Sequence, residues 1–263
     1  MVLPPVVLKS LNLVTYIIAA TTIVLSREHI QDALNGHPNF LSNSHLGYAI
    51  PALSAFLLGG FTLVQWFDFA YEIVVDGVQW HLFASNLVVA AWALSWRFDL
   101  LVVGQALLLV NALLIYALHS NVRRFTATNI VDFAFVHVSF SLYTGLVSLD
   151  VLQNFFAAFT DKEDGPMSWA ALGAAGAIVV LLAIGNYHAE FSKDPDSWSG
   201  GAIALMILSI AIEQGETVPV VQNTGFISFG WLAGALVRRG INSVELQRSL
   251  DDDYTGERRH LLG

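Results

Sequence analysis

Between Ala84 and Leu118 two long apolar runs are separated by only Arg97, Phe98 and Asp99. So short a connection forces the runs back on each other as an antiparallel helical hairpin. An apolar hairpin of this length finds its solvent in a bilayer, whose hydrocarbon core of about 30 Å takes roughly 20 residues of helix to cross. The rest of the chain agrees. Of 263 residues 55% are hydrophobic and 13% charged, and the mean hydropathy is +0.60, well beyond the balance of an ordinary soluble domain.

Eight segments are apolar and long enough to be expected as spans: Val6 to Ser26, Tyr48 to Phe67, Gln79 to Trp96, Asp99 to Leu118, Ile130 to Phe156, Trp169 to Tyr187, Gly200 to Gln214 and Val218 to Val237. The first is read as a span and not as a cleaved leader, because it is long enough to cross and ends in no small-residue cleavage pattern. The expectation is an all-α polytopic integral membrane protein, with about eight transmembrane helices in one bundle over residues 1–239. Residues 240–263 form a cytoplasmic tail expected to be disordered or at most a short amphipathic helix. The seventh segment is the shortest, and its boundary with the eighth is the least defined.

Loop charge sets an expected orientation, because Lys and Arg near span ends stay cytoplasmic. Eight spans put Lys9, Arg123, Arg124, Lys193, Arg238, Arg239 and the tail arginines on one side, against Arg27, Arg97 and Lys162 on the other. Both termini are then cytoplasmic. The stretch with Asp68, Glu72 and Asp76 reads as a solvated loop, and Arg27 to Gly47, with its Asn, Gly, His and Pro, as a surface loop.

Several chemistries find no motif. The chain has no cysteine and a net charge of -9, which removes thiolate sites and leaves no basic patch for nucleic acid. No metalloprotease, hydrolase-elbow or phosphate-loop pattern occurs, so no enzyme activity, catalytic residue, metal or cofactor is expected. The lysines Lys9, Lys162 and Lys193 all fall at span ends or loops, so none is placed to hold retinal.

Polar residues inside a span are costly and point to partners, cavities or interfaces. At 100° per residue, Asp132, Ser139, Tyr143, Asp150 and Asn154 fall on one narrow stripe of the fifth span, expected to line a cavity. His137, Ser141, Gly145 and Ser148 make a second stripe on nearly the opposite side. His137 and Glu213 are the candidates for proton or ion coupling. Asn86, Gln105 and Asn111 in the hairpin read as interhelical hydrogen-bonding groups.

The order Ser85-Asn86, Trp92, Trp96, then Leu114-Ile115-Tyr116, then Ser139-Phe140-Ser141-Leu142-Tyr143-Thr144-Gly145 with Asn154 downstream resembles the larger relatives of the tryptophan-rich sensory proteins, the translocator-like membrane family. Val138 and Leu146 depart from that pattern, where proline and tryptophan are usual. The small members have five helices and are associated with porphyrin and sterol-like ligands; the resemblance implies a style of helix packing, and no binding residue is carried over. The leading expectation is a non-enzymatic bilayer protein that binds or transports a small apolar ligand beside the fifth span. Alternatives are a proton- or ion-coupled secondary transporter, and a structural or assembly subunit of a membrane complex. Organelle and oligomeric state have no signature.

Overall fold

The computed structural model describes residues 4–36, 40–42, 44–160, 168–192, 194–215 and 218–261. Among these residues there are nine α-helical segments and no strand. Ile130–Asp132 continues through a π-helical turn, Phe133–Val138, into Ser139–Phe159, and together they make one run, α5 (Ile130–Phe159). The others are α1 (Pro5–Gly36), α2 (Ala49–Val64), α3 (His81–Arg97), α4 (Leu101–Val122), α6 (Trp169–Phe191), α7 (Ser197–Glu213) and α8 (Pro219–Leu261).

Five of these runs are long and apolar enough to cross a membrane, or six if the bent pair Ala49–Val64 and Asp68–Val78 counts as one span. The chain is a polytopic helical membrane bundle. At 1.5 Å per residue, the 17 residues of α7 reach about 25 Å, short of a full hydrocarbon core.

The opening hairpin is α3 and α4. Asp99 takes φ 57°, a left-handed conformation that, glycine apart, a short polar side chain tolerates best. The Leu100 amide then bonds back to the Ser95 carbonyl at 2.8 Å and closes the turn. α1 packs on α3, and α4 packs on α5. On the other side α5 meets α2 and α7, while α6, α7 and α8 pack on one another. α5 is therefore the central helix: 67% of its spanning stretch is buried inside the protein, against 28% for α1.

Two segments differ from their sequence expectation. The stretch after α2 is not a loop but a 3-10 turn, Asp68–Ala70, and a π-helical turn, Ile73–Val78, bent 108° from α2. Its acids face out, while Ile73, Val74, Gly77 and Val78 are buried, so the segment caps the bundle. Arg27 to Gly47 is likewise more than a surface loop: α1 continues to Gly36, and Leu41 is fully buried. Ser44 donates its amide to the Ser209 carbonyl at 3.3 Å, and Gln153 donates to the Leu41 carbonyl at 2.6 Å. Those bonds close one end of the bundle with neutral groups.

The opposite end carries buried and paired charge. Lys9 is buried, with Nζ 5.9 Å from the ring centroids of both Trp66 and Tyr71, a cation–π placement for an ammonium that reaches toward an interface. Arg123 and Arg239 both donate to the Pro195 carbonyl, and Arg238 pairs with Glu190 at 2.6 Å. Lys162 and Lys193 lie outside the described residues.

Gly145 marks the closest approach of α5 to α7. A Cβ built there would stand 2.9 Å from the Ser199 carbonyl oxygen and 3.0 Å from Ala202 Cβ. Neither can swing aside. Gly145→Ala is expected to destabilise the bundle by about 1–3 kcal/mol, read as a lower melting temperature in detergent. Gly176→Ala, with nothing within 4 Å, should leave the melt unchanged.

Candidate functional site

The residues foreseen on α5 divide among three environments. Asp132 sits at the helix start, where its Oδ2 accepts from the Thr128 amide (2.8 Å) and hydroxyl (3.1 Å), while Asn129 caps the amides of Val131 and Asp132. That is the chemistry of a helix N-terminus. Tyr143 and Asn154 turn toward the hairpin. Ser139 is fully buried and Asp150 half-buried, while Glu213 is exposed at the end of α7.

Asn154 uses its whole amide. Its Oδ1 accepts from the indole N–H groups of Trp96 (2.7 Å) and Trp92 (3.2 Å), and its Nδ2 donates to the Leu101 carbonyl (3.1 Å) and Gln105 Oε1 (3.0 Å). Deeper in the bundle, Asn111 Nδ2 donates to the Tyr143 hydroxyl at 3.2 Å, and Ser85 donates to Asn111 Oδ1 at 2.6 Å. Asn86 reaches across to Thr15 at 3.3 Å. Asn86, Gln105 and Asn111 are thus interhelical hydrogen-bonding groups, as their positions in the hairpin suggested.

The second stripe of α5 faces the charged end and the helices around it. Ser148 hydrogen-bonds Tyr116 at 2.8 Å, and Ser141 bonds the carboxylate of Asp196. Asp196 is the centre of a buried cluster. His119 Nε2 lies 2.8 Å from Asp196 Oδ2, and Arg123 Nη1 lies 3.6 Å from the same oxygen. Asp196 Oδ1 caps α7 by accepting from the amides of Trp198 and Ser199 at 3.0 and 3.2 Å. Burial alone would raise its carboxyl, but the His119 bond and charge, with Ser141 and the Ser199 amide, outweigh it and hold the pKa down at about 2.

His188 completes this group, with its ring 5.7 Å from His119 and 5.8 Å from Tyr116. It is placed by the π-helical turn Tyr187–Phe191 that ends α6. The Asp196 amide donates to the His188 carbonyl at 2.6 Å, which ties the two residues together through the backbone. His137, in another of the π-helical turns, lies within electrostatic reach of Asp132, Arg123, Asp196 and His119.

His119, His188 and Asp196 are not among the residues the sequence singles out. The legible signals were weak: Tyr116, His119 and Arg123 at helical spacing on one face of α4, and an Asp one residue ahead of an apolar helix. Nothing in the linear order joins residues 77 apart.

Several polar atoms in this region have no protein partner. Among the described residues, the buried atoms without one include Asp132 Oδ1, His137 Nε2, Ser139 Oγ, His188 Nε2 and Ser199 Oγ. Each costs about 1–3 kcal/mol in a dry interior. They gather where α5, α6 and α7 begin or end at the charged face of the bundle.

A bundle with these buried networks is a multi-pass membrane protein. The model of the TSPO-like protein family matches residues 6–238, and the chain belongs to that family. No curated protein and no solved structure matches it. The residues that carried the resemblance in sequence are neighbours in space: Trp92 and Trp96 meet Asn154, and Ser85 lies 3.4 Å from the Tyr143 hydroxyl.

Asn154→Ala would strand two indole N–H groups and the Gln105 carbonyl. The expected cost is about 1–3 kcal/mol for each group left bare and buried, seen as a lower melt and a shifted tryptophan emission. Asn154→Gln, which keeps the amide chemistry, should recover part of the loss.

Proposed function

We propose that this chain is a non-enzymatic membrane protein that binds, or moves across the bilayer, a small apolar ligand carrying a polar group, held beside the N-terminal part of α5. The observation that carries this reading is the bare polar set Asp132 Oδ1, His137 Nε2 and Ser139 Oγ on a buried helix whose Tyr143, Ser148 and Asn154 are all hydrogen-bonded. A polar group on a ligand would offset their desolvation while its apolar body lies among residues such as Val136, Val138 and Phe140. Membership of the TSPO-like family supports the ligand class, since the small relatives in the resemblance are associated with porphyrin and sterol-like molecules.

The test is photo-crosslinking with an apolar diazirine sterol probe and a porphyrin competition series, on the full chain in nanodiscs. Labelled peptides should come from residues 130–145, and Ser139→Ala should weaken competition. Labelling confined to other helices, or a Ser139→Ala variant indistinguishable from the wild type, would sink the proposal. One observation favours a second reading, proton-coupled transport: His137 Nε2 is bare, and its ring is within electrostatic reach of Asp132, Arg123 and Asp196. In sealed vesicles that reading requires a flux that changes with pH and loses the dependence in His137→Gln. A pH-independent flux leaves only the first.

We further propose eight crossing segments with both termini cytoplasmic. The support is that Lys9, Arg123, Arg238 and Arg239 share one end of the bundle through the contacts of Trp66, Pro195 and Glu190, which the positive-inside rule assigns to the cytoplasm. A cysteine placed at Ser243 should react with an impermeant maleimide only after cells are opened. Labelling of intact cells would reverse the orientation.

A further inference from the structure

We propose that His119, His188 and Asp196 form a binding site for a divalent first-row transition cation of the zinc class at the charged end of the bundle. This goes beyond the ligand reading above and does not depend on it.

The three side chains offer one donor atom each, and these atoms all lie within 4.8 Å of one another. All three residues are at least nine-tenths buried, with 5, 5 and 3% of their surfaces exposed. Two imidazoles and one carboxylate form a donor set suited to zinc and its neighbours, with a further position left for water or another ligand. Bonds of about 2.0–2.2 Å to a tetrahedral ion put donors roughly 3.3–3.6 Å apart. The cluster is close to that spacing: His119 and Asp196 at 2.8 Å would have to part slightly, and no pair is more than 4.8 Å apart.

His188 is the second, independent sign. An ion network of His119, Arg123 and Asp196 would account for the short His119–Asp196 distance, but it has no use for His188, whose Nε2 is buried with no protein partner. A bare imidazole nitrogen costs stability in a dry interior, and a cation at the cluster gives it a bond. Outer partners that hold ligands in place are also present. Asp196 Oδ1 is fixed by the Trp198 and Ser199 amides, and the carboxylate also receives the Ser141 hydroxyl. The backbone bond from Asp196 to the His188 carbonyl holds two of the three ligands in a fixed relation. His188 enters from a π-helical turn, a local departure from α geometry that recurs at functional sites.

Arg123 stands against a cation, since its Nη1 is 3.6 Å from the oxygen the ion would take. Its guanidinium is less buried than the cluster, with 27% of the side chain exposed, and it also donates to the Pro195 carbonyl. On ion binding it would stay on that carbonyl and give up the carboxylate oxygen. Removing it should therefore strengthen binding, whereas in a simple ion network its removal creates no metal site.

The experiment uses the full, untagged chain, stripped with chelator and held in nanodiscs, titrated with Co²⁺ and then Zn²⁺. Expected are one Co²⁺ per chain, a visible d–d absorption band of the four- or five-coordinate type, and displacement of that band by Zn²⁺. His188→Ala should abolish the band, a larger loss than the roughly 10–100-fold caused by changing an outer partner. Asp196→Asn, which keeps an oxygen for the α7 amides, should abolish it too, and Arg123→Gln should tighten binding. A wild-type chain that shows no band at millimolar Co²⁺, or a band unchanged in folded His188→Ala, overturns the proposal. Should either variant fail to fold by circular dichroism, the wild-type titration and the direction of the Arg123→Gln change still decide it.

Discussion

Inside a bilayer a buried polar group has no water to fall back on, so its partners have to come from the chain itself. Asn154 meets that constraint in full. Its one amide binds two indoles of α3 and a carbonyl and a side chain of α4. Sliding α5 by one turn, about 5.4 Å, would break all of these bonds and leave several groups bare. The register of α5 against the hairpin is therefore discrete. Tyr143, three turns nearer the charged end, meets Asn111 and Ser85 in the same register. Hairpin and central helix act as one unit, and α7 can approach the other side of that unit because Gly145 leaves it room.

The two ends of the bundle are built differently. One is closed by Leu41 and by Ser42, Ser44, Ser209, Gln153 and Gln214, neutral groups that hydrogen-bond one another or the backbone. The other gathers Lys9, Arg123, His119, His188 and Asp196, along with three π-helical turns at Ile73–Val78, Phe133–Val138 and Tyr187–Phe191. A π turn adds a residue to the cycle and rotates everything beyond it relative to an ideal helix. At Tyr187–Phe191 it accompanies an inward-facing His188, and at Phe133–Val138 it separates the first-turn residue Asp132 from the packed body of α5.

Long apolar runs identify helices without help from tertiary structure, and the expected start points at Ile130 and Trp169 coincide with those of α5 and α6. Within Ser139–Phe159, Tyr143 and Asn154 bond residues of the hairpin, Gly145 meets α7, and Ser148 bonds Tyr116 of α4. Asp132 lies across the π turn from that stretch, where one of its oxygens serves Thr128. The capping segment after α2 was misread. Its three acids dominate its composition, but the fold exposes them and buries Ile73, Val74 and Val78 between and beyond them. The His119–Asp196 pair was out of reach altogether, because it joins the end of α4 to the start of α7.

The distribution of satisfied and bare polar groups then narrows where α5 can act. Toward its C-terminal end the Asn154 amide is saturated, and at mid-depth Tyr143 is engaged by two hairpin residues, so a ligand there would have to compete with bonds already made. Toward its start, Asp132 Oδ1, His137 Nε2 and Ser139 Oγ are bare, and His137 is within electrostatic reach of His119 on α4 and of Asp196 at the head of α7. A helix buried on nearly every side is a poor place to leave polar atoms without partners, since each lowers a stability that is marginal to begin with. Their confinement to the charged end, while Asn154 in the opposite half of the same helix is paired atom for atom, divides α5 into a half that holds the bundle together and a half open to chemistry.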